Sequence, residues 1–391
     1  MFYFESTCGQ IEQKHGRKSN DQTYLMAKPP LEEEVWTIVS ATRRIITFKP
    51  QRMSSAGKIM EIRPSIAIPG GEIEILSEGF DAVSNDFGCL IGEKSARVVA
   101  ASSKRILAVV PEGVSGNTPV VLECGGQQSE SSDITVGRLL ADELHMVANP
   151  AVDPADGAIV ATRSGSRGYQ LPNTLYRIET DGYIDELPVE VMNPTGIAFS
   201  PDGALFVTNR ASGEVLTIER GETAIPFASG LGIATGIAFD SDGVLYVGDR
   251  AGSIHRIAEL GLPDVFARLE PSVAAYHMAF GPDGRLYVTA PGLASFDAIY
   301  AVDTDGGIER FVRGFGRPQG LAFDMEGNLY VAACRAGRRG IFRITPAGEI
   351  NHIVSGAGVV GLCFTQTGDL IVATNDAVFS IGAGIHGRLL G

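Results

Sequence analysis

The stretches TGIAFSPDGALFVTNR (195–210) and TGIAFDSDGVLYVGDR (235–250) decide the fold, because they are two copies of one pattern. Four weaker copies extend it: NPAVDPADGAIVATR (149–163), YHMAFGPDGRLYVTAP (276–291), QGLAFDMEGNLYVAAC (319–334) and VGLCFTQTGDLIVATN (360–375). They begin at Asn149, Thr195, Thr235, Tyr276, Gln319 and Val360, spaced 46, 40, 41, 43 and 41 residues apart. That period is the length of one four-stranded propeller blade. Each copy opens on a small, apolar strand suited to the crowded axis, turns at Asp-Gly or its equivalent, and continues as Leu-Tyr-Val. The Asp-Gly chemistry of tight hairpins accounts for turns such as Pro201-Asp202-Gly203 and Pro282-Asp283-Gly284 without calcium. Two more strands follow, as in EVLTIER and TAIPFA of the second copy. Six copies therefore predict six blades over 138–391. Too few residues follow Val360 to complete a repeat, so the last blade is expected to borrow its outer strand from Leu139–Val147. Such closure removes open sheet edges.

Working outward, residues 62–137 read as strand, turn, strand, with half-buried strands in GGEIEIL and RILAVVP, and suit a small β-sandwich. Pro64, the Pro69-Gly70-Gly71 turn, Glu78-Gly79-Phe80, Ile91-Gly92, Arg105-Ile106 and Val110-Pro111-Glu112-Gly113 resemble the IPT/TIG immunoglobulin-like domain. The resemblance implies an Ig-like sandwich acting as a spacer or interaction module. The repeat Gly-Ile-Ala-Phe-x-x-Asp-Gly-x-Leu-Tyr-Val is similar to NHL repeats and to the gluconolactonase (senescence marker protein) superfamily. It implies an NHL-type six-bladed propeller and leaves enzyme and binding scaffold both open. Residues 1–60 hold Trp36 and the acidic run Glu32–Glu34 without clear alternation; they are expected to be a flexible extension or a start placed too far upstream. The expected class is all-β, an Ig-like sandwich plus a six-bladed propeller.

Composition narrows the partners. Thirty-two Lys and Arg against 46 Asp and Glu leave a formal charge of −14, which repels nucleic acid. Forty-eight glycines and 20 prolines fit frequent turns. No transmembrane helix or signal peptide is visible, so a soluble, cytoplasmic protein with no membrane partner is expected. The 5 cysteines lack CxxC spacing and read as buried thiols.

Two rings of side chains are expected on one propeller face. The inner ring is Asn149, Thr195, Thr235, Tyr276, Gln319 and Val360, with His277 in place of a glycine; it is either a satisfied polar plug or a ligand site. The gluconolactonase resemblance implies a divalent metal held by one glutamate, two asparagines and one aspartate. No carboxylate falls in this ring, so no metal and no other cofactor is expected unless a register shift brings Asp153 inward. His277 is the candidate for proton chemistry, while His145, His255, His352 and His386 read as structural or surface residues. The outer ring is Arg163, Arg210, Arg250 and Arg335, near the ends of second strands in four copies. These arginines either grip carboxylate or phosphate or pair with turn carboxylates such as Asp249. The expected partner is a small anionic or polyhydroxylated, sugar-like molecule, or a protein loop. A hydrolase or isomerase acting on a sugar lactone is the alternative.

Overall fold

A computed structural model describes residues 57–80, 87–163, 174–257, 261–293 and 296–388, and the backbone of three strands before them. Those three, Tyr24–Leu25, Trp36–Val39 and Ile45–Phe48, form an antiparallel sheet within a compact unit, Met1–Ser55. The reading of 1–60 as an extension otherwise falls outside the described residues. No helix among the described residues is long and apolar enough to cross a membrane. The second unit, Ala56–Gly391, carries all that follows.

The repeat builds six blades of four antiparallel strands. In the second blade these are Pro194–Phe199, Leu205–Asn209, Glu214–Glu219 and Thr223–Ala228, paired in sequence order. The innermost strands of the six are Ala151–Val152, Pro194–Phe199, Ala234–Phe239, His277–Phe280, Leu321–Phe323 and Val359–Phe364. Each touches the next and the sixth touches the first, so the ring is closed. Closure is by a borrowed strand, as the residue count predicts: Arg138–Ala141 pairs antiparallel with Val378–Gly382 as the outer strand of the sixth blade.

The borrowed strand is shorter than the expected Leu139–Val147. Glu143 and His145 take φ of 60° and 47°, which ends extended structure. The chain instead arches over the sixth blade's hairpin, where Leu144 N and Met146 N donate to Asp376 O and Asn375 O at 3.0 and 2.9 Å. His145 thus stands in a loop rather than in the closing strand.

The aromatic residues of the repeat cement adjacent blades. The second-strand aromatic of one blade meets the inner-strand Phe of the next edge-on: Phe206–Phe239, Tyr246–Phe280, Tyr287–Phe323 and Tyr330–Phe364, at 5.1, 5.0, 4.9 and 5.1 Å. T-shaped pairs at such distances stabilise beyond their buried area. The corresponding positions in the first and sixth blades are Val160 and Ile371, so these two seams lack the stack. At the seam between the sixth and first blades the Asn149 amide acts instead, donating to Leu321 O at 2.8 Å and accepting from Leu362 N at 3.1 Å. One side chain therefore ties the first blade to the fifth and sixth.

The Ig-like sandwich is packed on the propeller. Its first sheet orders Lys58–Arg63, Glu72–Glu78, Arg105–Val109 and Arg97–Ala101, and alternation along Glu72–Glu78 sends Ile73 and Ile75 into a core with Ile91, Ile106, Val120, Leu122 and Ile134. This module starts at Lys58, earlier than the expected residue 62, and buries Ile59. Its second sheet continues into the propeller: Ile66–Ala67 pairs in parallel with Ser132–Val136 on one side and with Ile350–Ser355, the outer strand of the fifth blade, on the other. Ile68, fully buried, then enters the core of the fifth and sixth blades beside Tyr330, Ile341 and Val354. Arg338 of the fifth blade faces Glu74 at 2.9 Å and Glu72 at 3.8 Å.

Candidate functional site

Loops leaving an outer strand for the next inner strand open on the same face as the hairpins between second and third strands. Most of the expected residues lie toward that face, but they separate into two groups.

The first group is consumed by the channel wall. Thr195, Thr235 and Tyr276 are at most 1% exposed. Thr235 Oγ1 donates to Gly248 O and accepts from Tyr276 N, both at 3.1 Å, joining the third and fourth blades. The Tyr276 hydroxyl donates to Glu270 O at 2.6 Å, and burial raises its pKa. Thr195 Oγ1 donates to Asn193 O at 3.4 Å. Asn149, Thr195, Thr235 and Tyr276 thus each make hydrogen bonds within the protein. Asp153 stays away from the channel mouth, because Ala151 and Val152 pair in register with Val160 and Ile159 and its carboxylate meets Arg177 at 2.7 Å.

His277 lines a narrow channel cavity of about 100 Å³ with Asn149, Thr235 and Tyr276, walled largely by the small and apolar residues of the inner strands. It is 4% exposed, and its Nε2 has no hydrogen-bond partner among the described residues. Burial lowers its pKa from 6.5 to about 4, so the ring is neutral at pH 7 and a weak base. A consequence for stability follows. Above pH 6.5 the imidazole is neutral folded and unfolded; between 6.5 and 4 only the unfolded chain takes up the proton, so stability falls as pH falls through that window. The expected loss is roughly 3 kcal/mol, from about 1.4 kcal/mol per pH unit. Denaturant unfolding of the protein and of His277→Leu from pH 7 to 4 checks this; parallel pH profiles would refute it.

The second group surrounds an open pocket of about 710 Å³ at the channel mouth. It holds Arg210 and Arg250 of the expected outer ring, and Gln319 and Val360 of the inner ring. Arg317, Arg339, His145 and Asn375 also line it, and no Asp or Glu among the described residues does. Arg250 does not pair with Asp249: that carboxylate accepts from Ile233 N and Ala251 N at 2.8 and 2.9 Å. The Arg250 guanidinium donates instead to Ser272 O and Val273 O at 3.4 and 2.8 Å, with no carboxylate paired to it among the described residues. Arg163 and Arg335 stand outside the lining. Arg163 donates to the Tyr176 hydroxyl at 3.1 Å; Arg335 donates to Arg313 O and Gly314 O at 3.3 Å and covers the Phe315 ring.

Arg317 and Arg339 are the residues that the repeat register misses. Arg339 lies at the start of the third strand, Arg338–Ile344, just past the turn where Ala336 and Gly337 take φ of 48° and 80°. A search of whole hairpins and entry loops, rather than of strand ends, would find both.

Residues 58–136 match the IPT/TIG domain model, and the chain carries that domain followed by a propeller. No curated protein matches the chain. Among solved structures, a structural-genomics protein from Bacteroides thetaiotaomicron VPI-5482 is 12% identical, with a TM-score of 0.51 over 85% of this chain and 99% of that one. A candidate gluconolactonase is 20% identical, with a TM-score of 0.55 over 65% of this chain and 93% of its own. At these identities the likeness is one of fold.

Proposed function

We propose that this protein binds a small anionic ligand in the pocket at the channel mouth, with the Ig-like module as a fixed second interaction surface. The observation that carries the reading is the lining itself: Arg210, Arg250, Arg317 and Arg339, with no Asp or Glu among the described lining residues, in a chain of net charge −14. Guanidinium groups grip carboxylate and phosphate by paired, charge-assisted hydrogen bonds. Gln319 and Asn375 add neutral polar groups to the same wall, which also suits hydroxyls on the ligand.

We take binding to need no metal. Both amide atoms of Asn149 are engaged by backbone, and no three His, Cys, Asp or Glu side chains converge among the described residues, a poor donor set for a hard cation. The lactonase alternative has less support, since His277 is sequestered and the described residues of the open pocket include no carboxylate as acid or base.

Calorimetric titration with small carboxylates and inorganic phosphate, in chelator and at low salt, tests the proposal. Replacing Arg210 and Arg250 by glutamine should weaken binding by about 1 to 3 kcal/mol per lost charged hydrogen bond and flatten its salt dependence. Affinity unchanged in the double variant would move the working surface elsewhere.

A further inference from the structure

A second pocket, of about 280 Å³, opens beside the fourth blade. Its walls are the loop leaving the third blade at Glu270, the hairpin between the fourth blade's second and third strands at Phe296 and Asp297, and Tyr300, Arg310 and Arg313 of its outer two strands. The described linings of this pocket and of the one at the channel mouth share no residue. Independently of the anion-pocket reading, we infer that it takes a zwitterion of amino-acid size, with the ammonium at Glu270 and Asp297 and the carboxylate at Arg310 and Arg313.

Both signs of charge line the pocket without neutralising each other. Glu270, Arg310 and Arg313 are exposed, and none of their side chains has a hydrogen-bond or ion-pair partner among the described residues. Asp297 Oδ1 accepts from Gly292 N at 3.2 Å, while its Oδ2 is buried and has no donor among the described residues. A buried carboxylate oxygen without a donor is costly, and a cationic donor relieves that cost. The guanidiniums come from a different element. Arg310 pairs across the ladder with Tyr300 and Arg313 with Ala298, so both stand on one face of the sheet.

The frame that carries these charges is held from behind. The Tyr276 hydroxyl fixes Glu270 O at 2.6 Å, and Ser272 Oγ and Val273 N both donate to Pro291 O, at 2.9 and 3.0 Å, tying the loop to the hairpin. Arg335 donates to Arg313 O at 3.3 Å. The volume lies just under the roughly 300 to 1,000 Å³ usual for ligand pockets, so one small ligand meets both kinds of charge. A lone anion would face Glu270 and Asp297, and a lone cation the two arginines; a ligand bearing both charges leaves neither pair opposed. Guanidinium suits the carboxylate, and the Tyr300 ring adds a face for the ammonium.

Calorimetric titration with L-leucine, L-methionine, L-glutamine and L-phenylalanine, each against its N-acetyl acid and its amide, tests the inference on the unaltered chain. At least one free amino acid should bind about tenfold or more tightly than both of its blocked forms, since each block removes one charge-assisted contact. Arg310→Gln/Arg313→Gln should erase the advantage over the amide, and Glu270→Gln/Asp297→Asn the advantage over the N-acetyl acid. Asparagine keeps the acceptor for Gly292 N, and melting temperatures should not change. Arg317→Gln/Arg339→Gln, at the channel mouth, should leave both advantages intact. Free and blocked forms that bind alike, an advantage that survives loss of its own pair, or one lost with Arg317 and Arg339 overturns the inference. Failure of every free amino acid to bind at millimolar concentration does so too. Binding of carboxylate or phosphate at the channel mouth stands or falls separately.

Discussion

Replacing Ile68 by alanine is expected to destabilise the protein by about 2 to 5 kcal/mol, the range for truncating a fully buried aliphatic side chain, and to split its melting into two transitions. Ile68 leaves the Ig-like sheet but lies in the core of the fifth and sixth blades, at 0% exposure. Two glycines shape its surroundings: a Cβ on Gly356 would fall 2.8 Å from Ile68, and one on Gly137 would fall 3.0 Å from it. Cavity cost rises where the walls cannot collapse, and here the backbone itself is a wall. The sandwich core around Ile73 and Ile75 is a separate cluster and stays intact. Loss of the link should therefore uncouple two units that otherwise melt together. Scanning calorimetry reads both effects; a single transition moved by less than a degree or two would show that the module does not rely on this side chain.

Gly361→Val is expected to be at least as damaging, at roughly 3 kcal/mol or more. Gly361 is on the innermost strand of the sixth blade, where a Cβ would meet Ala148 O at 2.6 Å, Asn149 Cα at 2.7 Å and Asn149 N at 2.8 Å. All three are backbone atoms entering the first blade, so relief requires parting the seam that the Asn149 amide holds. That seam also lacks the aromatic stack found between the later blades. Gly382→Ala is the matched control: its nearest neighbour is Asp369 Oδ1 at 3.8 Å, and the change should be within about 0.5 kcal/mol of neutral. Denaturant unfolding of the two variants side by side decides the matter. Equal stabilities would remove the argument that the channel wall is packed backbone to backbone.

The architecture is legible in the sequence because each blade repeats its own local chemistry: a small inner strand, an Asp-Gly turn, then Leu-Tyr-Val. The borrowed strand could be counted out from the residues remaining after Val360. Its end could not, since Glu143 and His145 adopt positive φ without the glycine that signals such a turn. The inner ring was located but not its role. Whether Thr235 or Asn149 offers its polar atoms to a ligand depends on groups in neighbouring blades; Leu362 N, for example, lies 213 residues from Asn149. The site was half legible for a related reason. Arg210 and Arg250 recur at one register position, whereas Arg317 and Arg339 sit in loops and hairpins whose lengths vary between copies, so no periodicity marks them.

The borrowed outer strand also sets an order on how the protein can be made. During synthesis Arg138–Ala141 emerges early, whereas its partner Val378–Gly382 follows roughly 240 residues later. The Ile66–Ala67 strand waits longer still for Ile350–Ser355. Early blades can form hairpin by hairpin as they leave the ribosome, but the ring cannot shut until nearly all of this sequence has appeared. Contacts so distant along the chain are slow to form and leave strand edges unpaired meanwhile. The nascent chain thus passes through an open arc of blades with two waiting edges, and that arc, rather than the finished ring, is the form that chaperones and neighbouring chains encounter.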